Sequence, residues 1–413
     1  MADCDDVRKI WRWLETFGRE RAIAIETRLT AVPALAPESG GQGEMAKARV
    51  VEEALPASFA VERCDSPDPR VPEERRPNII ARMAGKRSRT LWLMGHLDVV
   101  PPGEPELWTA DPWTLRVEGD LLYGRGAEDN QQAITSMLLL AEAADACGVS
   151  PENGLGLLFV ADEECGSRHG AQYILRKRRD LFAGGDLLVV PDMGVSDGSV
   201  IEVAEKSIFW VRVEVEGVQC HGSTPEKGKN TLAAAAEMIV HMDDVAARFP
   251  ARDPLFTSAS TFTPTRYEEN VPNVNTVPGR GVFYVDCRVL PGYTLDDVLA
   301  AFRSVFLPVA ERHGVTVSFS LAQDTPAAPV TPPDSPVVAG LVRSIGRVLG
   351  VRARCVGIGG GTVAAFFRRA GIPAAVWATQ DSTMHSPDEN ARVSHIIGDA
   401  KVFADMLFAR DDA

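Results

Sequence analysis

Three short runs of unbroken apolar character restrict the fold more than any other feature of this chain: 90–94 (Thr-Leu-Trp-Leu-Met), 155–160 (Leu-Gly-Leu-Leu-Phe-Val) and 187–190 (Leu-Leu-Val-Val). Strands with one wet face alternate polar and apolar residues, whereas strands covered on both faces by helices do not. Helical segments rich in Leu and Ala fall between the runs, for example 133–146. This alternation predicts an α/β domain with a mostly parallel sheet and helices on both faces. A chain of 413 residues is too long for one ordinary core, so two domains are expected.

The texture changes near residue 207. Residues 211–216 (Val-Arg-Val-Glu-Val-Glu) alternate strictly, and 281–289 reads as another strand with one wet face. Asn230 can cap a helix over 231–242; a second helix fits 295–313, with a strand at 315–321 after it. The Pro-rich segment 325–333 then returns the chain to α/β texture, with a helix at 335–349, Gly359-Gly360-Gly361 entering another helix, and a strand at 374–377. The expected organisation is a discontinuous catalytic domain, 1–206 and 323–413, interrupted by an inserted α+β domain at 207–322.

Charge narrows the partners. The formal net charge is −14 and no basic stripe exists, which argues against nucleic acid and anionic membranes. The one basic run, Arg176-Lys177-Arg178-Arg179, reads as a solvated helix end. No stretch approaches the roughly 20 apolar residues of a membrane span. The N-terminal residues Met1 to Asp6 are acidic and lack a secretory pattern. Seven cysteines (Cys4, Cys64, Cys147, Cys165, Cys220, Cys287, Cys355) form no Cys-x-x-Cys pair, which suits free thiols in a reducing cytoplasm.

The chemistry gathers after the apolar runs. Gly95-His96-Leu97-Asp98-Val99-Val100 places an imidazole and a carboxylate at the carboxyl end of the first strand, where open α/β sheets carry their sites. Asp98 is suited to hold the second ring nitrogen of a metal-ligating His96. Asp129, in Tyr123-Gly124-Arg125-Gly126-Ala127-Glu128-Asp129-Asn130, falls at a loop-to-helix junction, where a helix cap is the equal alternative. Asp162-Glu163-Glu164 ends the second strand; three adjacent acids there repel one another, and a cation is the usual way to hold them. One of the two glutamates can bind metal while its neighbour handles protons. Asp192 and His385 follow two further strands. Nitrogen and oxygen donors suit Zn²⁺, Co²⁺ or Mn²⁺, and their number suggests two ions sharing one carboxylate.

Five blocks in order, Gly-His-x-Asp-Val-Val-Pro-Pro-Gly, Tyr-Gly-Arg-Gly-x-x-Asp, Asp-Glu-Glu-x-Gly-Ser, Pro-Asp and Met-His-Ser-Pro-Asp-Glu, resemble the M20 family of metallopeptidases. That family includes succinyl-diaminopimelate desuccinylases, aminoacylases, glutamate carboxypeptidases and dipeptidases, and His221-Gly222-Ser223-Thr224-Pro225 resembles its lid. The resemblance implies that His96 and Asp192 hold one ion, Glu164 and His385 the other, and Asp129 bridges them. It implies Glu163 as general base and acid, Asp98 as the residue orienting His96, and His221 as the group polarising the scissile carbonyl, often in a partner subunit. Asn275 and Arg288 sit where relatives contact the substrate carboxylate; an ion pair on the strand face is the other reading of Arg288. Gly360 belongs to a glycine run whose free amides can serve the site, or to a simple packing turn.

The implied enzyme carries two divalent ions, Zn²⁺ first with Co²⁺ or Mn²⁺ as alternatives. It hydrolyses an amide in a small N-acyl amino acid or, alternatively, acts as a dipeptidase or carboxypeptidase, as a cytoplasmic homodimer joined through the lid. Asn130-Gln131-Gln132 and Thr362-Val363-Ala364 depart from the desuccinylase pattern, as does Asp192 as terminal ligand, and they point away from succinyl-diaminopimelate itself. A non-catalytic relative would lack Glu163 or a ligand. A thiol hydrolase would use Cys165 or Cys220 with His221. His169, His241, His313 and His395 read as structural or solvated, with no acid partner evident in the sequence.

Overall fold

The computed structural model describes residues 5–409; Cys4 and the acidic segment ahead of Asp5 lie outside the described residues. The chain divides into two units. The larger takes the residues up to Val203, Thr331–Val356 and those from Thr362 onward; the smaller takes Ala204–Val330 and Gly357–Gly361. The smaller unit thus starts earlier and ends later than 207–322, and it captures part of the glycine run. Backbone bonds explain the capture: Lys206 N donates to Ile358 O (3.0 Å) and Gly357 N to Leu255 O (2.7 Å).

In the larger unit an eight-stranded sheet has the order Ala60–Arg63, Ile79–Met83, Gly154–Val160, Thr90–His96, Leu187–Gly194, Ala374–Ala378, Val200–Glu205, Arg354–Ile358. The four middle strands are parallel. Antiparallel partners flank them, Ile79–Met83 on one side and Val200–Glu205 on the other, so the sheet is mixed with a parallel centre. The apolar runs are those central strands; Gly154–Val160 is buried along its whole length. One face carries Trp92, Met94, Leu158, Val160 and Val190 against the helices Ala171–Lys177 and Ala364–Arg369. On the other face Asp5–Thr30, Gln132–Ala146 and Val393–Phe408 pack on one another.

Parallel strands all point their carboxyl ends the same way, so His96, the acids after Val160, Asp192 and the turn after Ala378 collect at one sheet edge. Strand register also demands one glycine. Gly156 lies opposite Trp92, and a Cβ on it would fall 2.2 Å from the indole ring. Gly156→Ala is therefore expected to lower unfolding free energy by about 1–3 kcal/mol through overpacking, read from urea unfolding midpoints. A wild-type midpoint would refute that account.

The smaller unit is a four-stranded antiparallel sheet in the order Thr261–Tyr267, Arg280–Val289, Ser207–Glu216, Thr316–Thr325. Phe209, Val211, Val213 and Val215 point into its core, while Arg212 and Glu214 lie on the wet face and pair there. Thr231–Val240 and Leu295–His313 cover the apolar face. Asn230 Oδ1 accepts from Leu232 N (3.0 Å) and Ala233 N (3.2 Å), the expected cap. Thr294 and Asp297 form a capping box that starts the longer helix, and Gly314, at φ 65°, ends it.

Candidate active site

His96 ends its strand 3% exposed. Its Nδ1 lies 3.0 Å from the backbone oxygen of Asp98, which fixes the ring and turns Nε2 toward the carboxylates. Nε2 is 2.9 Å from Asp129 Oδ1 and 3.3 Å from Asp192 Oδ1. The Asp98 carboxylate is farther from the ring, at 3.5 Å, because it has other work: its two oxygens accept from Glu163 N and Glu164 N, both at 3.0 Å. Asp98 thus orients His96 through its carbonyl and holds the two glutamates through its side chain.

The other oxygen of Asp129 faces a second group. Oδ2 is 3.1 Å from His385 Nε2, which also lies 3.1 Å from Glu164 Oε1. Asp129 therefore stands between two donor sets, His96 with Asp192 and His385 with Glu164. Ligand atoms of His96, Asp129 and Glu164 all lie within 4.8 Å of one another, close enough for one metal ion. Glu163 lies beside these sets, partly buried, and among the described residues no hydrogen bond or ion pair engages its carboxylate.

The electrostatics show what such a cluster requires. Burial resists charge on His96, but bonds to Asp129, Asp192 and Asp98 overcome it and raise its pKa well above the ordinary value. Bonds to Asp129 and Glu164 lift His385 to about 10. Asp129 is pushed the other way, against its burial, by His385 and His96. Without cations, the surrounding acids favour the protonated form of both imidazoles. Divalent cations would supply the same positive charge, and the all-nitrogen-and-oxygen donor set fits them. Burial raises Glu163 well above the ordinary glutamate, with the Asp192 carboxylate adding to it.

Asn130 and Asn78 support this constellation without being ligands or catalysts. Asn130 Oδ1 accepts from His96 N (3.2 Å), while its Nδ2 donates to Asp192 Oδ1 (2.9 Å) and Pro191 O (2.9 Å). It ties the backbone of His96 to the carboxylate of Asp192, the two members of one donor set. Gly95 makes room for it, since a Cβ there would lie 2.8 Å from Asn130 Oδ1. Only its place beside Asp129 marks Asn130 in the sequence. The loop carrying the glutamates is held from beneath by Asn78, which accepts from Ala161 N (3.2 Å) and donates to His169 O (2.8 Å).

The remaining expected residues lie in the smaller unit. His221 Nδ1 accepts from Ser223 N (3.1 Å), which places the ring proton on Nε2, and Nε2 has no partner among the described residues. Asn275 is its neighbour: the strands Cys220–His221 and Thr276–Val277 pair, and Asn275 O accepts from Gly222 N (2.7 Å). The Arg288 fork is taken up by Asp286 (2.7 and 3.0 Å), and its other arm donates to Gly359 O (2.9 Å). That is the strand-face ion pair, and it fastens the glycine run containing Gly360. His241 and His313 do have acid partners, Asp244 (2.7 Å) and Glu237 (2.6 Å), on exposed helix surface. His169 bonds Ser66 Oγ (2.9 Å).

Neither Cys165 nor Cys220 is set up as a nucleophile. Burial raises the Cys165 thiol to about 11. Cys220 Sγ donates to backbone oxygens while the His221 ring is bonded to Ser223. Glu38, Asp162 and Cys165 also cluster, but Arg70 and Arg76 already neutralise their carboxylates. Among the described residues no helix is long and apolar enough to cross a membrane.

Residues 92–409 match the model of peptidase family M20/M25/M40. An uncharacterized metallohydrolase of Methanococcus maripaludis is 32% identical over 410 residues, covering 94% of this chain and 99% of that protein. A succinyl-diaminopimelate desuccinylase of Methylocella silvestris is 28% identical over 391 residues, with 94% and 97% covered. Human carnosine dipeptidase 1 shares the fold, with a TM-score of 0.75 at 17% identity over 97% of this chain and 98% of its own. The chain belongs to peptidase family M20/M25/M40 and is a metallohydrolase.

Proposed function

We propose that this protein hydrolyses the amide bond of a small N-acyl amino acid with two divalent cations, Zn²⁺ first and Co²⁺ or Mn²⁺ as alternatives. The observation that carries the reading is Asp129, which faces His96 with one oxygen and His385 with the other. His96 and Asp192 would hold one ion, His385 and Glu164 the second, with Asp129 shared. The ions supply Lewis acidity to the carbonyl and a water acidified toward neutrality. Glu163, its carboxylate without a partner among the described residues, would serve as the base that takes a proton from the attacking water and as the acid that returns it to the leaving amine. His221, with its proton on Nε2, is suited to stabilise the oxyanion. Asn275, beside it, and the amide of Gly360 are suited to the substrate carboxylate. Arg288 would serve there only by giving up Asp286.

A dipeptidase or carboxypeptidase of the same family is the second reading, favoured by Asp192 as terminal ligand. A panel of N-succinyl and N-acetyl amino acids set against unblocked dipeptides, run on metal-reconstituted protein, decides between them. Cleavage of dipeptides alone reverses the order; cleavage of neither overturns both. Chelator dialysis is expected to bring turnover to background and thiol alkylation to leave it unchanged; the opposite pattern would restore a cysteine nucleophile.

The described cysteines are all free, which supports a reducing cytoplasm. A homodimer through the smaller unit is supported by apolar side chains left exposed on its helix Thr231–Val240, Leu232 and Val240. Sedimentation of the whole chain as a monomer would remove that part of the reading.

A further inference from the structure

Two buried glutamates next to the donor sets have no place in the chemistry above, yet each accepts four or more hydrogen bonds. Glu128, 0% exposed, reaches into the turn at 381–384. Its Oε1 accepts from Asp381 N (2.6 Å) and Ser382 N (3.0 Å); its Oε2 accepts from Thr383 N, Thr383 Oγ1 (2.9 Å) and Met384 N (2.9 Å). That turn delivers His385, which sits in the left-handed region at φ 62°. Glu389, also 0% exposed, reaches the opposite way. Its Oε1 accepts from Glu128 N (3.1 Å) and Asp129 N (2.9 Å), and its Oε2 from Gly126 N (3.0 Å) and the Arg125 guanidinium (2.5 Å).

Each ligand-bearing loop therefore places a carboxylate beneath the backbone of the other. Burying two carboxylates is costly unless hydrogen bonds satisfy them, and here those bonds come almost wholly from backbone amides. Such bonds fix where a loop lies, not what its side chains are. The two contacts differ in what they govern. Glu128 touches only the turn ahead of His385, whereas Glu389 bonds the amide of Asp129, the carboxylate common to both donor sets.

We infer that Glu128 and Glu389 are a reciprocal pair of positioning residues: Glu128 sets the place of His385 and the affinity of the ion on that side alone, and Glu389 sets the place of Asp129 and the affinity of both. The inference rests on the two-cation reading above. Its test is titration of the metal-free full chain with Co²⁺, followed by absorption and calorimetry, on wild type, Glu128→Gln and Glu389→Gln. Wild type is expected to take two equivalents. Glu128→Gln should keep one at wild-type affinity and weaken the other about 10–100-fold, the usual cost of losing a partner behind a metal ligand. Glu389→Gln should weaken both to a similar degree.

Turnover of Glu128→Gln should recover as Co²⁺ is raised, which a general loss of structure would not allow. If Glu128→Gln does not fold, as read by circular dichroism, Glu128→Asp keeps the charge on a shorter arm and should show the same one-sided weakening. Two equivalents in wild type with both ions equally affected, or neither, in the Glu128 variant overturns the clamp and leaves the proposed function standing. One equivalent in wild type overturns both. Two equivalents with the expected asymmetry but no cleavage of any amide overturns the function and leaves the clamp.

Discussion

Replacing Glu163 by glutamine is expected to cut turnover by about 10²–10⁴-fold, the range a positioned general base contributes, while metal uptake stays at the wild-type stoichiometry. The separation follows from the geometry. Glutamine matches glutamate in length and leaves the main-chain bonds from Glu163 N and Glu164 N to Asp98 in place. No donor set loses a member, because among the described residues no hydrogen bond or ion pair engages the Glu163 carboxylate. What disappears is the capacity to take a proton. Burial and the neighbouring Asp192 carboxylate hold the Glu163 pKa above the ordinary glutamate. Because the base must be ionised to act, turnover falls as pH drops through its pKa, and bound cations would lower that pKa from its metal-free value. A variant retaining half of wild-type turnover, or losing metal along with activity, would end the assignment.

The sheet centre was legible because fully covered strands cannot hide: the runs at 90–94, 155–160, 187–190 and 374–377 are all central strands of the structure. The helix expected at 295–313 matches the one observed, since Thr294 and Gly314 state its ends chemically. The antiparallel flanks, Ile79–Met83 and Val200–Glu205, were not singled out; strands of five or six residues without a continuous apolar signature leave little to recognise.

The site follows the same logic. His96, Asp129, Glu164 and His385 were legible from their motifs, and the fold brings them together because parallel strands share one carboxyl edge. Asn130, Glu128 and Glu389 were not read as working parts because a polar residue beside a ligand looks like any solvated neighbour until the fold buries it. Their partners lie far away in sequence, where no local pattern reports them. The acid partner of His313 was missed for that reason too: Glu237 sits on a different helix.

Substitution at Asp129 should separate sharing from mere proximity. Asp129→Ala removes the one carboxylate that faces both imidazoles, so uptake is expected to drop from two equivalents to one or none, and turnover to background. The affinity loss should exceed the roughly 10–100-fold typical of outer partners, since a direct donor is gone. Asp129→Asn gives the sharper result. An amide keeps the shape but has a single acceptor oxygen, its other arm being an NH₂ that can only donate. It can face His96 or His385 with oxygen, but not both. One ion should therefore bind near wild-type strength and the second should fail, with no turnover because a lone ion leaves half of the charge balance to protonated histidine. Without cations, the acids around His385 push its pKa up to about 10. Full uptake of two ions by Asp129→Asn would show that each donor set is complete without Asp129, and the shared-carboxylate arrangement would have to be given up.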